Sequence, residues 1–300
     1  MATQSDCILP PQLKPGDCFG IAAPAGTFRQ SSLEKGLAVL KKIGFIPYIP
    51  ESIFQKKGYL AGDDENRSDT LNALFRNPEV KGILCVRGGY GSLRILEKLD
   101  YASIKAFPKV FMGFSDITAL LYAIYRKSKI VTFHAPVATS LGEDDPETID
   151  GFQKVLGFPK RLALFAENDF VINSGKATGK LIGGNLTTLC HLIGTPFSPK
   201  FNNHLMLMED RGEALYRIDR MLTHMQMAGC FDGLQGVIVG TFNECGDTDK
   251  IYSLIKEIFK DKNIPILAGF RIGHGRTNYT VPLGARADMD TEKKQLTVYL

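Results

Sequence analysis

No apolar run in this 300-residue sequence approaches the ~20 residues that a helix needs to cross a bilayer, so a membrane-spanning role is not expected. Between Met1 and Pro15 no basic segment leads into an apolar one, which leaves nothing to read as a secretory leader. Neither acidic nor basic residues are in large excess. The net charge is only +4, with Lys and Arg dispersed rather than run together, and this argues against a nucleic-acid partner. The six cysteines (Cys7, Cys18, Cys85, Cys190, Cys230, Cys245) form no C-x-x-C pair, and no His-x-x-x-His is present. Neither a disulfide framework nor a metal site is therefore expected. Cys85 lies inside Ile83-Leu84-Cys85-Val86, the setting of a buried thiol in a reducing compartment, and a cytoplasmic protein is expected. With no Walker lysine and no G-x-G-x-x-G, no cofactor is indicated. Internal repeats and low-complexity segments are absent too.

What is present is an ordinary globular composition, 44% hydrophobic and 23% charged. A chain of this length can bury about three quarters of its unfolded surface. In the first half, short apolar runs alternate with helical patterns: strands at 18–23, 45–49, 80–86, 110–113 and 130–133, helices from 31, 63, 92, 117 and 146. Strict alternation predicts an α/β fold with a mostly parallel sheet covered on both faces, a three-layer αβα domain over 13–157. Residues 158–175, with short β-like runs among Gly, Pro and Asn, are read as a connection. The remainder, 176–300, is more β-rich and less regular, and is expected to form a second α/β domain.

The most informative stretch is Val110-Phe-Met-Gly-Phe-Ser115-Asp116-Ile-Thr-Ala-Leu120. An apolar run ends at Gly113, a serine follows at a turn, and Ile117, Leu120, Leu121 and Ile124 then mark one helix face. A serine lifted clear of a sheet at a helix N-terminus has the setting of a nucleophile elbow, and free N–H groups there receive an oxyanion. The match to G-x-S-x-G is partial, because Ile117 replaces the second glycine. The competing explanation is a simple helix cap. Asp116 follows, its N–H expected to matter more than its carboxylate.

A serine nucleophile needs a base and an orienting acid. Of the five histidines, His224 reads as structural, His191 as core and His204 as solvated, while His134 follows a strand and could share a crevice with Ser115. His274, in Gly273-His-Gly-Arg-Thr-Asn278, has no apolar face to bury it and suits a functional loop. Glu209 ends an apolar strand, with Asp210 and Glu213 as rivals and a solvated turn as the bland account of all three. The turn Arg87-Gly88-Gly89-Tyr90-Gly91 exposes backbone N–H groups that suit an oxyanion, and Arg87 suits a substrate carboxylate.

Taken together and in order, Arg87-Gly-Gly-Tyr-Gly91, Gly113-Phe-Ser-Asp116, Gly183-Gly-Asn-Leu186, Glu209-Asp-Arg-Gly-Glu213 with Tyr216-Arg-Ile-Asp-Arg220, and Gly273-His-Gly275 resemble the landmarks of the LD-carboxypeptidases. These serine peptidases include murein tetrapeptide carboxypeptidases and microcin-immunity hydrolases. The resemblance runs from about Leu13 to the C-terminus. It implies a catalytic triad of Ser115, Glu209 and His274, oxyanion and substrate contacts at Asp116, Gly89, Gly91 and Arg87, and no metal. It also implies two domains with the site at their junction, in a homodimer. Two departures stand out: Ala135 in Thr132-Phe-His-Ala-Pro136 replaces a family glycine, and Arg211 stands where a small apolar residue is commoner.

The expected activity is hydrolysis of the L,D-peptide bond to the terminal D-alanine of a murein tetrapeptide, free or sugar-linked, in peptidoglycan recycling. One alternative is an immunity-type amidase that cuts an aminoacyl-nucleotide toxin. Another, of a different class, is a two-lobe ligand-binding protein with no chemistry.

Overall fold

The structure is a computed structural model that describes residues 7–167 and 170–300. The first residues of the Met1–Pro15 stretch, and Asn168 and Asp169 of the expected connection, lie outside the described residues. The chain divides into two compact units, 1–158 with 280–284, and 159–279 with 285–300.

In the first unit the elements are β1 (Cys18–Ala22), α1 (Gln30–Lys42), β2 (Ile46–Tyr48), α2 (Asp64–Arg76), β3 (Val80–Cys85), α3 (Tyr101–Ala106), β4 (Val110–Gly113), α4 (Thr118–Ser128), β5 (Thr132–His134), α5 (Ala138–Leu141) and α6 (Pro146–Leu156). A later strand, β12 (Val281–Leu283), returns to this unit. The sheet order is β12-β5-β4-β3-β1-β2, parallel except where β12 joins β5. Fully buried strand residues such as Ile83, Leu84, Phe111 and Phe133 are what a sheet covered on both faces demands. The register sets Phe19 beside Gly82 and Gly82 beside Val110, so Phe19 and Phe111 point to opposite faces. Phe19 meets Phe152 of α6, and Phe111 meets Phe75 of α2. Helices thus cover both faces, as the three-layer expectation requires. Pro47 places β2 at the sheet edge, where a missing N–H is harmless.

Some local expectations shift. The helix expected from 31 begins at Gln30, and the segment Ser92–Lys98, expected as a helix, is a 3-10 helix. Asp63 and Asp145 do cap α2 and α6, each accepting an N–H from the first turn.

The second unit holds β6 (Arg161–Phe165), β7 (Val171–Asn173), β8 (Lys176–Asn185), α7 (Leu186–Cys190), β9 (His204–Arg211), α8 (Leu215–Met227), β10 (Gly236–Asn243), α9 (Thr248–Phe259), β11 (Ile266–Ala268), β13 (Arg286–Asp290) and β14 (Gln295–Tyr299). Its sheet order is β6-β14-β13-β8-β9-β10-β11-β7. Strand β8 changes partner at Lys180, antiparallel to β13 before it and parallel to β9 after it. The segment 158–175 is therefore no plain linker, since β6 and β7 form the two edges of this sheet.

Candidate functional site

In the first unit the sheet order reverses between β1 and β3, and ligands of doubly wound sheets settle beyond the C-terminal strand ends at such a point. The loops leaving β1 and β3 are tied together there. Gly26 N–H donates to the Gly88 carbonyl at 3.2 Å, and Arg87 Nη1 donates to the Thr27 carbonyl at 2.8 Å. The adjacent β4 ends at Gly113, and Ser115 follows with φ of +62°. A non-glycine residue in the left-handed region is held there by its surroundings, at a cost of about 1–3 kcal/mol. A Cβ at Gly113 would lie 2.8 Å from Ile117 Cγ2, so the tight turn needs that glycine. Ser115 to Ile117 form one 3-10 turn that runs into α4.

Gly88 closes against this turn. A Cβ there would lie 2.7 Å from Ser115 Cβ, 2.9 Å from Oγ and 3.2 Å from the Asp116 nitrogen. Gly89 and Gly91 take positive φ but have other neighbours, Arg87 and Gly26 for one, Arg67 and Leu60 for the other. Among the glycines of this turn it is Gly88 that the structure sets beside the serine. Asp116 is buried, and its carboxylate accepts the Ser92 N–H at 2.8 Å. Burial pushes its pKa up, and the Ser92 hydrogen bond opposes this. The carboxylate, expected to matter less than the N–H, is thus a structural tie. His134 is fully buried in β5 with its ring against Phe114, a core position rather than a crevice wall.

In the second unit the central parallel strands carry Glu209 near the end of β9, fully buried. Its Oε2 accepts from His274 Nδ1 at 2.7 Å and from the His274 backbone N–H at 3.0 Å. Two glycines make room for the carboxyl side chain. A Cβ at Gly240 would lie 3.2 Å from Glu209 Cβ, and one at Gly273, where φ is +107°, would overlap the carboxylate. The loop bearing His274 is pinned by Thr241 N–H to the Ile272 carbonyl at 2.9 Å and by Gly273 N–H to Asn278 Oδ1 at 2.8 Å. Burial pulls the His274 pKa down, but the Glu209 hydrogen bond and charge outweigh it, and the net shift is upward. In the neutral ring a carboxylate at Nδ1 holds the proton there and puts the basic lone pair on Nε2.

The rivals of Glu209 have other duties. Asp210 accepts from Asn185 Nδ2, from Thr187 N–H and hydroxyl, and from Arg211 N–H, which fastens the start of α7. Glu213 pairs with Arg217 at 3.5 Å, and Arg211 with Glu244 at 3.0 Å. His204 is buried rather than solvated, its Nδ1 2.6 Å from the Asn202 carbonyl, and His191 is exposed rather than core. Among the described residues no cluster of His, Cys, Asp and Glu could hold a metal ion, and no helix is long and apolar enough to cross a membrane.

Sequence profiles of the LD-carboxypeptidase N-terminal and C-terminal domains match residues 19–135 and 178–289. The chain belongs to the LD-carboxypeptidase family. A probable murein peptide carboxypeptidase of Bacillus subtilis (strain 168) is 36% identical over 96% of this chain and 93% of its own length. The microcin C7 self-immunity protein MccF of Escherichia coli is 29% identical, over 99% of this chain and 97% of its own. The crystal structure of muramoyltetrapeptide carboxypeptidase from Oxalobacter formigenes superposes with a TM-score of 0.84 at 28% identity, over 94% of this chain and 99% of that one. As an LD-carboxypeptidase family member the chain ranks with the peptidases, which favours chemistry over passive ligand binding.

Proposed function

We propose that this protein is a cytoplasmic serine carboxypeptidase that removes the terminal D-alanine from murein tetrapeptides, free or sugar-linked, in peptidoglycan recycling. The observation that carries the proposal is the strained Ser115 turn, in a chain that also presents a buried Glu209 bonded to His274. Ser115 Oγ attacks the carbonyl of the L,D bond while His274 Nε2 takes its proton and passes it to the departing D-alanine amine. Water then releases the acyl-enzyme by the same exchange. Glu209 holds the imidazole and stabilises its charged form. The N–H of Asp116 and an N–H of the Gly88–Gly91 turn receive the oxyanion, and Arg87 pairs with the terminal carboxylate. Such a mechanism requires the first unit's serine and the second unit's histidine to meet at the bond being cut, and it needs no metal or cofactor. A homodimer is the assembly that goes with it.

Mass spectrometry of a murein tetrapeptide incubated with wild type and with Ser115→Ala tests the proposal. Loss of one alanine in the first sample alone is the expected result; equal release in both ends the assignment. The likeness to MccF favours a second reading, hydrolysis of an aminoacyl-nucleotide by the same three residues. Running an aminoacyl sulfamoyl adenosine beside the tetrapeptide separates the two by kcat/KM.

A further inference from the structure

Arg67, on α2, has a side chain with 0% exposure. A buried guanidinium destabilises a fold unless its donors are met. Nη2 pairs with Asp64, and Nη1 donates to the Pro24 carbonyl and, at 2.8 Å, to the Gly91 carbonyl, while the buried Nε has no hydrogen-bond partner among the described residues. Those two carbonyls belong to the loops that leave β1 and β3, the neighbouring strands where the sheet order reverses. The Gly91 contact is intimate: a Cβ there would lie 2.7 Å from Nη1.

The same peptide unit is held at its other pole. Its oxygen is that of Gly91, and its N–H is that of Ser92, which donates to the Asp116 carboxylate at 2.8 Å. One peptide plane is thus gripped by a cation at the carbonyl and an anion at the amide. This is the polarity that a peptide dipole favours. Arg67 also lowers the energy of the Asp116 carboxylate, opposing the burial that raises its pKa. The amide of Asp116 leads the helix from Ser115, while the gripped peptide closes the turn whose Gly88 lies against Ser115 Oγ.

We propose that Arg67 and Asp116 form a positioning clamp on the Gly91–Ser92 peptide. The clamp fixes the glycine turn against the serine turn, and so sets the spacing of the two oxyanion donors. Neither side chain touches substrate; both act through the backbone. The inference rests on the hydrolase proposed above, whose donors it arranges. A misplacement of about 1 Å in such a site lowers turnover on the order of 10²-fold, and donors that engage only the transition state change kcat rather than KM.

The test uses the full chain with Arg67→Met and Arg67→Lys, assayed on murein tetrapeptide at a temperature where urea curves show each variant folded. Arg67→Met should lose on the order of 10²-fold in kcat with KM within about threefold. Arg67→Lys keeps the charge, but its single nitrogen stops one bond short of Nη1 and cannot hold both carbonyls and Asp64 together, so its kcat should fall between wild type and Arg67→Met. The acid limb of the pH profile should not move, since the His274–Glu209 pair is untouched. A folded Arg67→Met with wild-type kcat, or with KM alone raised, overturns the clamp while leaving the proposed activity standing. If Arg67→Met does not fold, Arg67→Lys decides by the same split; if neither folds, Arg67 is a folding residue and the inference falls. A wild type that releases no alanine removes the proposed activity, and the clamp goes with it.

Discussion

One oxygen of Glu209, Oε2, accepts both the ring Nδ1 and the backbone N–H of His274, at 2.7 and 3.0 Å. The double contact orients the imidazole and favours its charged form, although burial works the other way. In the proposed hydrolase His274 is the general base and must be neutral to act, so its raised pKa should move the acid limb of kcat/KM above the ordinary histidine value of about 6.5.

Glu209→Gln tests this relationship. The amide keeps the volume and loses the charge, so burial is left to dominate. The acid limb should move to lower pH than in wild type, while kcat falls on the order of 10⁴-fold, the scale of losing a triad carboxylate. A pH–rate series on both proteins reads the two effects, and an unmoved limb would separate Glu209 from the titrating base.

Gly273→Ala should be far more damaging than Gly275→Ala, two residues on. At 273 the backbone has φ of +107° and an added methyl overlaps the Glu209 carboxylate; at 275 the nearest neighbour of such a methyl is Thr241 Cγ2 at 3.5 Å. Backbone strain and a disturbed buried charge pair together amount to about 4 kcal/mol or more. Urea midpoints of the two variants provide the comparison, and equal midpoints would mean the loop yields without disturbing Glu209.

The alternation of strands and helices was readable because strands buried on both faces are written as continuous apolar runs, as in Ile83-Leu84-Cys85-Val86. Strand β13 was not: Arg286-Ala-Asp-Met-Asp290 has a strand's alternation over only five residues, and its Ala and two Asp are poor strand formers. For His191 and His204 the sequence is ambiguous, since the pattern at the end of a short helix or at a strand's first residue does not fix which way the side chain faces. Ser115 and His274 were legible as local settings, a strand–turn–helix junction and a glycine-flanked loop. Arg67 carried no local signal at all. A lone arginine in a polar helix reads as a solvated face, and its burial depends on carbonyls 43 and 24 residues away.

Strain at the serine predicts a split between stability and activity. With φ at +62°, Ser115 sits where glycine is at ease and alanine is not. Ser115→Gly should be about 0.5–1 kcal/mol more stable than Ser115→Ala, after allowing for the glycine's greater unfolded-state freedom. Both should lose on the order of 10³-fold or more in kcat. Equal urea midpoints for the two variants would show that the turn relaxes once the hydroxyl is gone.

Asp116 carries the opposite kind of burden. Burial raises its pKa, with the Ser92 hydrogen bond working against the rise, so its ionised form is held in the fold at a cost. The sign is fixed by linkage: an upward shift gives stability that is complete below the unfolded carboxyl value of about 3.9. That stability fades as pH climbs through the higher folded value. Asp116→Asn keeps an oxygen to accept the Ser92 N–H but has no charge to lose. The Tm of Asp116→Asn minus that of wild type should therefore grow more positive as pH rises from about 4, and level off only above the raised folded value. Thermal melts across that range decide the matter. A difference that shrinks with rising pH would mean the carboxylate is stabilised in the fold, as it would be if Arg67 outweighed burial there.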